Sequence, residues 1–434
     1  MFFILLVSLT VSFCAAQQNS GQYTISDATN SILFDGIGAS FSGASARLIR
    51  DYPSSSRTRI LDLLFSPSGP PSTQNNFKGA ALQILKLPIG GDGSIAADPG
   101  TEPSHMHSLS DSVNLNRGWV TWLAREALDR NPNIKILLTP RTFPGYLRQG
   151  NADATDPFGD PLQAASYVFE YVIAFADLLG VHPGYVGLWS TSSATSTVVT
   201  NSYMVQYAVE LRAQLDSVGL TDTLIVCSDS ASRLTFPPIT GDWSCVNATD
   251  PSDPLYNDEL AQVVGVIGNL GRPPIPFSST ANPNNIPVWM TSYTSEYSGP
   301  QQSFGYGALS VANEWMETYL TASSINKAKQ GSIPSGFIYE YAVDAAPYGF
   351  PNFYYGLIQA NQPWSGHFSV SPALWAIAHV NQFVPANLDW RILAADATNG
   401  GSGNLTFGGY YTTFYSPTTF ESTISPSMIF LSMS

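Results

Sequence analysis

Residues 120–139 read VTWLAREALDRNPNIKILLT, and the pattern changes partway along. Val120, Leu123, Ala124, Ala127 and Leu128 fall at i, i+3, i+4, i+7 and i+8, the apolar stripe of an amphipathic helix. Residues 134–139 that follow are short and mostly apolar, as a strand covered on both faces must be. The unit recurs along the chain. Met204, Tyr207, Ala208, Leu211 and Leu215 repeat the helical stripe. Strands are predicted at 82–87, 134–139, 185–189, 223–227, 263–267, 288–291 and 336–341, with 34–37 as the first. Eight strand–helix units between about 35 and 350, the sixth the weakest, give the rhythm of a (β/α)8 TIM barrel. A doubly wound sheet is the competing arrangement. Against it, Gly36-Ile37-Gly38-Ala39 lacks the rest of a dinucleotide-binding glycine fingerprint.

Composition agrees with a large folded domain. The 434 residues are 44% hydrophobic and only 12% charged, which excludes a largely disordered chain. With 18 Lys+Arg against 32 Asp+Glu the formal charge is −14, which argues against a nucleic-acid partner. Beyond about 367 the pattern changes. A helix is predicted over 374–383. Trp390, Ile392 and Leu393, then Tyr410–Tyr415, read as strands of a small β-sandwich. Residues 428–434 read as a strand without a partner.

The first 16 residues, MFFILLVSLTVSFCAA, form an apolar run ending in small residues, the pattern of a secretory signal peptide. The run is shorter than the ~20 apolar residues of a membrane span, and no later stretch reads as transmembrane. Cys227 and Cys245 remain after cleavage and are expected to pair in an oxidising compartment. Asn247 and Asn404 begin sequons and are expected glycosylation sites.

Chemistry on a barrel sits at the C-terminal ends of its strands. The second predicted strand is followed by Gly90-Gly91-Asp92-Gly93 and then by Gly100-Thr101-Glu102-Pro103-Ser104-His105-Met106-His107. Asp92 between glycines suits an acceptor of loop N–H groups. His105 and His107 are spaced like a metal pair but lack a third ligand of suitable spacing, so no metal is expected. No Gly-x-Ser-x-Gly elbow supports a serine hydrolase.

These segments resemble the galactosylceramidase family of glycoside hydrolases. The carrying residues are Phe34-Asp35-Gly36-Ile37-Gly38-Ala39, the run from Gly90 to His107, Arg130-Asn131-Pro132-Asn133-Ile134, Phe143-Pro144-Gly145 and Pro363-Trp364-Ser365-Gly366-His367. The resemblance implies a barrel with a β-sandwich built from both chain ends. Residues 17–34 would supply the sandwich's N-terminal strand, 35–366 the barrel, and 367–434 a partial C-terminal sandwich. The family's further lectin-like domain is expected to be absent. It also implies cleavage of β-galactose from galactosylceramide in the lysosome, with a saposin-type lipid carrier as partner and no cofactor.

Retaining glycosidases need two carboxylates about 5–5.5 Å apart. The family's acid/base Glu follows Trp-Asn; here the motif reads Trp189-Ser190-Thr191. No Asp or Glu lies between Asp177 and Glu210 to replace it. The family's nucleophile pattern admits two registers. An ungapped count from Trp289 places Ser292 there. Alignment on Ser295-Glu296-Tyr297-Ser298 keeps Glu296 but inserts four residues, ~13 Å of extended chain. Among substrate-binding positions Thr101 matches the family. Arg141 stands for the sugar-stacking Trp, Ser190 for an Asn and Phe350 for an Arg. Glu340 is an extra carboxylate at the end of the eighth predicted strand. The expectation is a family scaffold of doubtful activity, the alternatives being an inactive glycan- or glycolipid-binding protein and a purely structural one, in the lysosome or outside the cell.

Overall fold

Strands too apolar to face water on either side solve the problem by closing on themselves. In the computed structural model they are β2 (Gly36–Ser40), β3 (Ile84–Ile89), β4 (Lys135–Pro140), β5 (Tyr185–Gly187), β7 (Leu224–Cys227), β9 (Val264–Leu270), β10 (Val288–Tyr293) and β11 (Gly336–Tyr339). They form one closed parallel barrel, sealed where β11 pairs with β2 from Gly336↔Gly36 to Tyr339↔Ala39. That closure excludes the doubly wound alternative. The structure describes residues 31–68, 78–92, 102–148, 160–191, 201–227, 229–230, 256–270, 286–293, 334–344, 356–385, 389–393, 402–404, 410–418 and 422–427.

One layer inside the barrel is filled by Ile84, Leu137, Tyr185, Val226, Val266, Trp289 and Ile338. Trp289 is its largest member and is fully buried. Its ring lies 4.4 Å from that of Tyr185, and its indole Nε1 donates to Asp35 Oδ2 at 2.8 Å. Ser335 Oγ donates to the same carboxylate oxygen, so the buried charge is hydrogen-bonded as it must be. A Cβ on Gly336 would sit 2.9 Å from the indole, which explains a glycine at the start of β11.

The helices outside are α2 (Ser54–Phe65), α3 (Val120–Arg130), α4 (Pro161–Leu179), α5 (Asn201–Ser217), α6 (Asp258–Val263) and α7 (Pro372–Asn381), with α1 (Gly43–Asp51) as an extra segment after β2. Asp160 caps α4 by accepting from Leu162 N and Gln163 N, and Gly180 ends it at φ 71°. That helix is long and apolar enough to cross a membrane, but Ala164, Val168, Val172 and Phe175 are buried in the core. The last helix starts two residues before its predicted position because Pro372 occupies the first turn, where its missing N–H costs nothing. It ends at Asn381, whose amide donates to Ile37 O and Ala80 O and locks the helix to the barrel floor.

Beside the barrel, β1 (Ser31–Leu33) pairs antiparallel with β15 (Arg391–Leu393), which pairs with β17 (Tyr410–Tyr415). Strands β16 (Ser402–Asn404) and β18 (Ser422–Ser427) flank β17. Thus β17 has the predicted bounds, and its partner is 422–427; residues 428–434 lie outside the described residues. Phe34 and Phe414, 5.0 Å apart edge to face, join this sheet to the barrel. A further small sheet of β12 (Val343–Asp344), β13 (Ile358–Gln362) and β14 (His367–Val370) follows β11, and its hairpin straddles residue 366.

Candidate active site

The loop after β3 is built by close backbone approach. A Cβ on Gly90 would lie 2.4 Å from Glu102 O, and one on Gly91 2.3 Å from Thr142 O. Asp92 takes a left-handed φ of 58° and braces the loop: Oδ1 accepts Ser104 N at 2.8 Å and Oδ2 meets His107 Nδ1 at 3.2 Å. Tyr167 from α4 reaches in, donating to Gly90 O at 2.5 Å and meeting Ser104 Oγ at 2.7 Å.

The His105 ring packs tilted against Tyr167, centroids 4.0 Å apart, with Tyr171 edge-on at 5.1 Å. Burial disfavours the imidazolium and pulls its pKa down to about 4, so the ring is neutral. His107 is exposed and bound to Asp92, so the two histidines serve different ends. Among the described residues no group of three His, Cys, Asp or Glu could hold a metal.

Glu102 is almost wholly buried. Burial raises its pKa, opposed by the Arg141 charge and by the Gly43 amide at the start of α1. A cavity of about 20 Å³ beside it, room for about one water, is also lined by His105, Arg117 and Tyr171.

Arg141, directly after β4, carries this chain of contacts into the barrel mouth. Its Nη1 lies 3.9 Å from Glu102 Oε1, and its side chain is 11% exposed. On the other side it hydrogen-bonds the Tyr341 hydroxyl, which donates in turn to Glu340. Burial, then the Glu340 charge, pushes the Tyr341 phenol up to about 12, so it stays protonated and keeps donating. The residues after β3, β4 and β11 are therefore joined as Glu102–Arg141–Tyr341–Glu340. Deeper in, Lys86 on β3 donates to Thr291 O at 3.0 Å.

Two other strand ends hold further residues singled out in the sequence. Ser190–Thr191 forms β6, which continues the line of β5 and pairs in parallel with β8 (Asp229–Ser230). Ser292 is buried near the end of β10. There Met290 pairs with Asn269 and Ser292 with Leu270, so a one-residue bulge interrupts the ladder at Thr291. Thr101, Glu296, Phe350, Cys245 and Asn247 lie outside the described residues. Asn404 closes β16 opposite Tyr410. Cys227, fully buried at the end of β7, is disulfide-bonded.

Two members of the mouth went unread in the sequence. Lys86 carried a usable signal: it is a lysine inside an otherwise apolar strand. Tyr341 carried none until β11 and β4 were brought to one rim.

Residues 34–382 match the model for glycosyl hydrolase family 59. Galactocerebrosidase from Mus musculus is 31% identical over 410 residues, covering 92% of this chain and 52% of that protein. The protein of the same name from Homo sapiens is 32% identical over 403 residues, covering 91% and 51%. The chain thus spans about half the length of the curated relatives it matches. Among solved structures, an endo-β1,6-glucanase superposes with TM-score 0.61 at 16% identity, covering 93% of this chain and 88% of that one. SrfJ from Salmonella typhimurium superposes with TM-score 0.63 at 15% identity, covering 94% and 88%. At those identities the likeness is one of fold.

Proposed function

This chain belongs to glycosyl hydrolase family 59, and from that premise we propose that it is a galactosylceramidase-like protein that binds β-galactosyl lipids and does not turn over unactivated ones. The observation that carries the proposal is Thr191 at the end of the line begun by β5, where the family's acid belongs. A poor leaving group departs only if an acid protonates its oxygen, and a threonine hydroxyl is far too weak an acid to do so. Loss of general acid catalysis alone removes ~10²–10⁴-fold in rate.

The nucleophile register follows the same logic. Strand β10 runs to Tyr293, so Ser292 lies within it, and this supports the ungapped reading. Glu296 remains the alternative nucleophile. Glu340 is a further carboxylate at the mouth, tied to Tyr341. Substrate contacts in this reading come from Thr101, Arg141, Ser190 and Phe350. Entry to the secretory pathway by the 1–16 leader, a Cys227–Cys245 disulfide, glycosylation at Asn247 and Asn404, a saposin-type carrier and a lysosomal or extracellular location belong to the same proposal. So does a division into a barrel over 35–366 and a sandwich from 17–34 and 367–434.

A role in interaction alone is the second reading. It is favoured by Arg141, whose buried side chain bridges Glu102 and Tyr341 across the rim where a sugar would enter.

Turnover and binding assays on the purified chain separate these readings. Galactosylceramide and an alkyl β-galactoside should give no product, while a short-chain galactosylceramide should bind by calorimetry. An aryl galactoside with a good leaving group isolates the nucleophile. Slow release abolished by Glu296→Gln would assign Glu296; equal inertness of both proteins would support Ser292. Efficient hydrolysis of galactosylceramide would overturn the proposal and make Glu340→Gln the next variant. Absence of any galactolipid binding would leave the interaction role.

A further inference from the structure

Four of the chain's 18 basic residues fall between positions 47 and 59: Arg47, Arg50, Arg57 and Arg59, with Asp51 the one acid among them. In a protein of formal charge −14 this is a marked local excess of positive charge. The four sit on α1 and α2, and Arg47, Arg50 and Arg59 are exposed. Arg50 lies over the ring of Trp119 at 4.2 Å, and Arg59 faces the ring of Phe368 at 5.8 Å. Arg50 and Arg59 are held at the surface by these aromatic neighbours, while Arg47 lies 3.9 Å from Asp51.

The tip of the β13–β14 hairpin stands on the same corner. Ser56 Oγ donates to Gly366 O at 2.9 Å, Tyr52 OH donates to His367 O at 2.7 Å, and Gln362 N donates to Tyr52 OH at 3.1 Å. Gly366 turns with φ 72°, and a Cβ there would meet Ser56 Oγ at 3.0 Å. The hairpin is thus fastened to the α1–α2 turn on both of its arms. At its tip Trp364 is 81% exposed, the most exposed of the large hydrophobic side chains described. Tryptophan is highly buried on average, which sets this one apart.

The corner also has a direction. Helix α3 follows the loop that leaves the C-terminal end of β3, and α2 follows β2 by way of α1. Both begin on the side of the barrel where its mouth opens. The hairpin follows β11 on that same side.

We propose that the Arg47–Arg59 segment and Trp364 form a docking surface for an anionic phospholipid bilayer, which holds the barrel mouth toward the membrane. Charge complementarity selects the partner: arginines attract acidic headgroups, and an indole partitions to the interface between headgroup and chain. The inference does not depend on turnover, and its test does not measure turnover.

The test is co-sedimentation of the full chain with phosphatidylcholine vesicles, with and without phosphatidylserine. The wild-type protein should sediment with the acidic vesicles and not with the neutral ones, and added salt should release it. Arg50→Gln with Arg59→Gln should weaken binding about 30-fold, at the usual contribution of each basic residue near an acidic surface. Arg50→Lys with Arg59→Lys should retain it. Trp364→Ser should weaken binding while leaving its dependence on phosphatidylserine. Equal binding to both vesicle types, no binding to either, or unchanged binding by the glutamine variants overturns the proposal. Retention on a sulfated polysaccharide column without vesicle binding also overturns it, in favour of an acidic glycan.

Discussion

The loop after β3 and the ends of β5 and β10 look into the same barrel mouth but are held in different ways. The β3 loop is fixed by side chains: the exposed Asp92 and the buried Tyr167 bind its backbone, and the His105 ring packs against Tyr167. The end of β5 is continued by main-chain pairing, Ser190 with Asp229 and Thr191 with Ser230. The difference teaches where a family scaffold can drift. A residue that folding uses cannot change without a stability cost. A residue on a strand end held only by main-chain pairing can change without one.

The sharpest way to break the comparison is Gly91→Ala. The new methyl would meet a backbone carbonyl, Thr142 O, at 2.3 Å, with no flexible side chain to yield. A loss of about 3 kcal/mol in denaturant unfolding is expected. A neutral result would mean that the loop is not packed this closely.

Next comes acid. His105 is neutral in the fold, with its pKa near 4 against about 6.5 in an unfolded chain. The unfolded state therefore takes up the proton first. The stability this group contributes is complete above pH 6.5 and is lost as the pH falls toward 4, about 2 kcal/mol by pH 5. His105→Gln should remove that part of the slope in urea unfolding compared at pH 8 and pH 5. Glu102 runs the other way. Its folded pKa is raised, so its effect on stability becomes less favourable as the pH rises from the ordinary carboxylate range through the folded value. Glu102→Gln should therefore gain on the wild type as the pH increases; a variant that loses stability relative to the wild type over that range would contradict the burial described.

Tyr167→Phe removes the hydroxyl shared by Gly90 O and Ser104 Oγ, and about 1 kcal/mol is expected in the same assay. The smallest effect is on the other side of the comparison. Thr191→Glu should shift the unfolding free energy by no more than about 0.5 kcal/mol. A large loss there would show that folding, too, has a stake in the end of β5.

The barrel was legible because its strands are apolar on both faces, and that pattern survives without neighbours. Strand β9 was the hardest to see because Gly265 and Gly268 interrupt its apolar run. The sheet of β12–β14 was missed because sequences such as Ile-Gln-Ala-Asn-Gln in β13 do not alternate cleanly. Of the site, the bracing role of Asp92 was readable from its glycine neighbours. The Glu102–Arg141–Tyr341–Glu340 chain was not, since its members come from loops that meet only when the barrel closes. Arg141 read as a lost sugar platform; in the fold it is the central link.

The pairing of Ile32 with Ile392 sets a clock on the protein's birth. A ribosome adds ~5–20 residues per second, so β1 waits roughly 20–70 s for the strand that will cover its edge. Strand β2 waits nearly as long for β11. During that interval the first strands of the barrel are finished but unpaired on one side, an open edge that other strands can join. Pulse-labelled nascent chains should become protease-resistant late and nearly all at once, after β15 has left the exit tunnel.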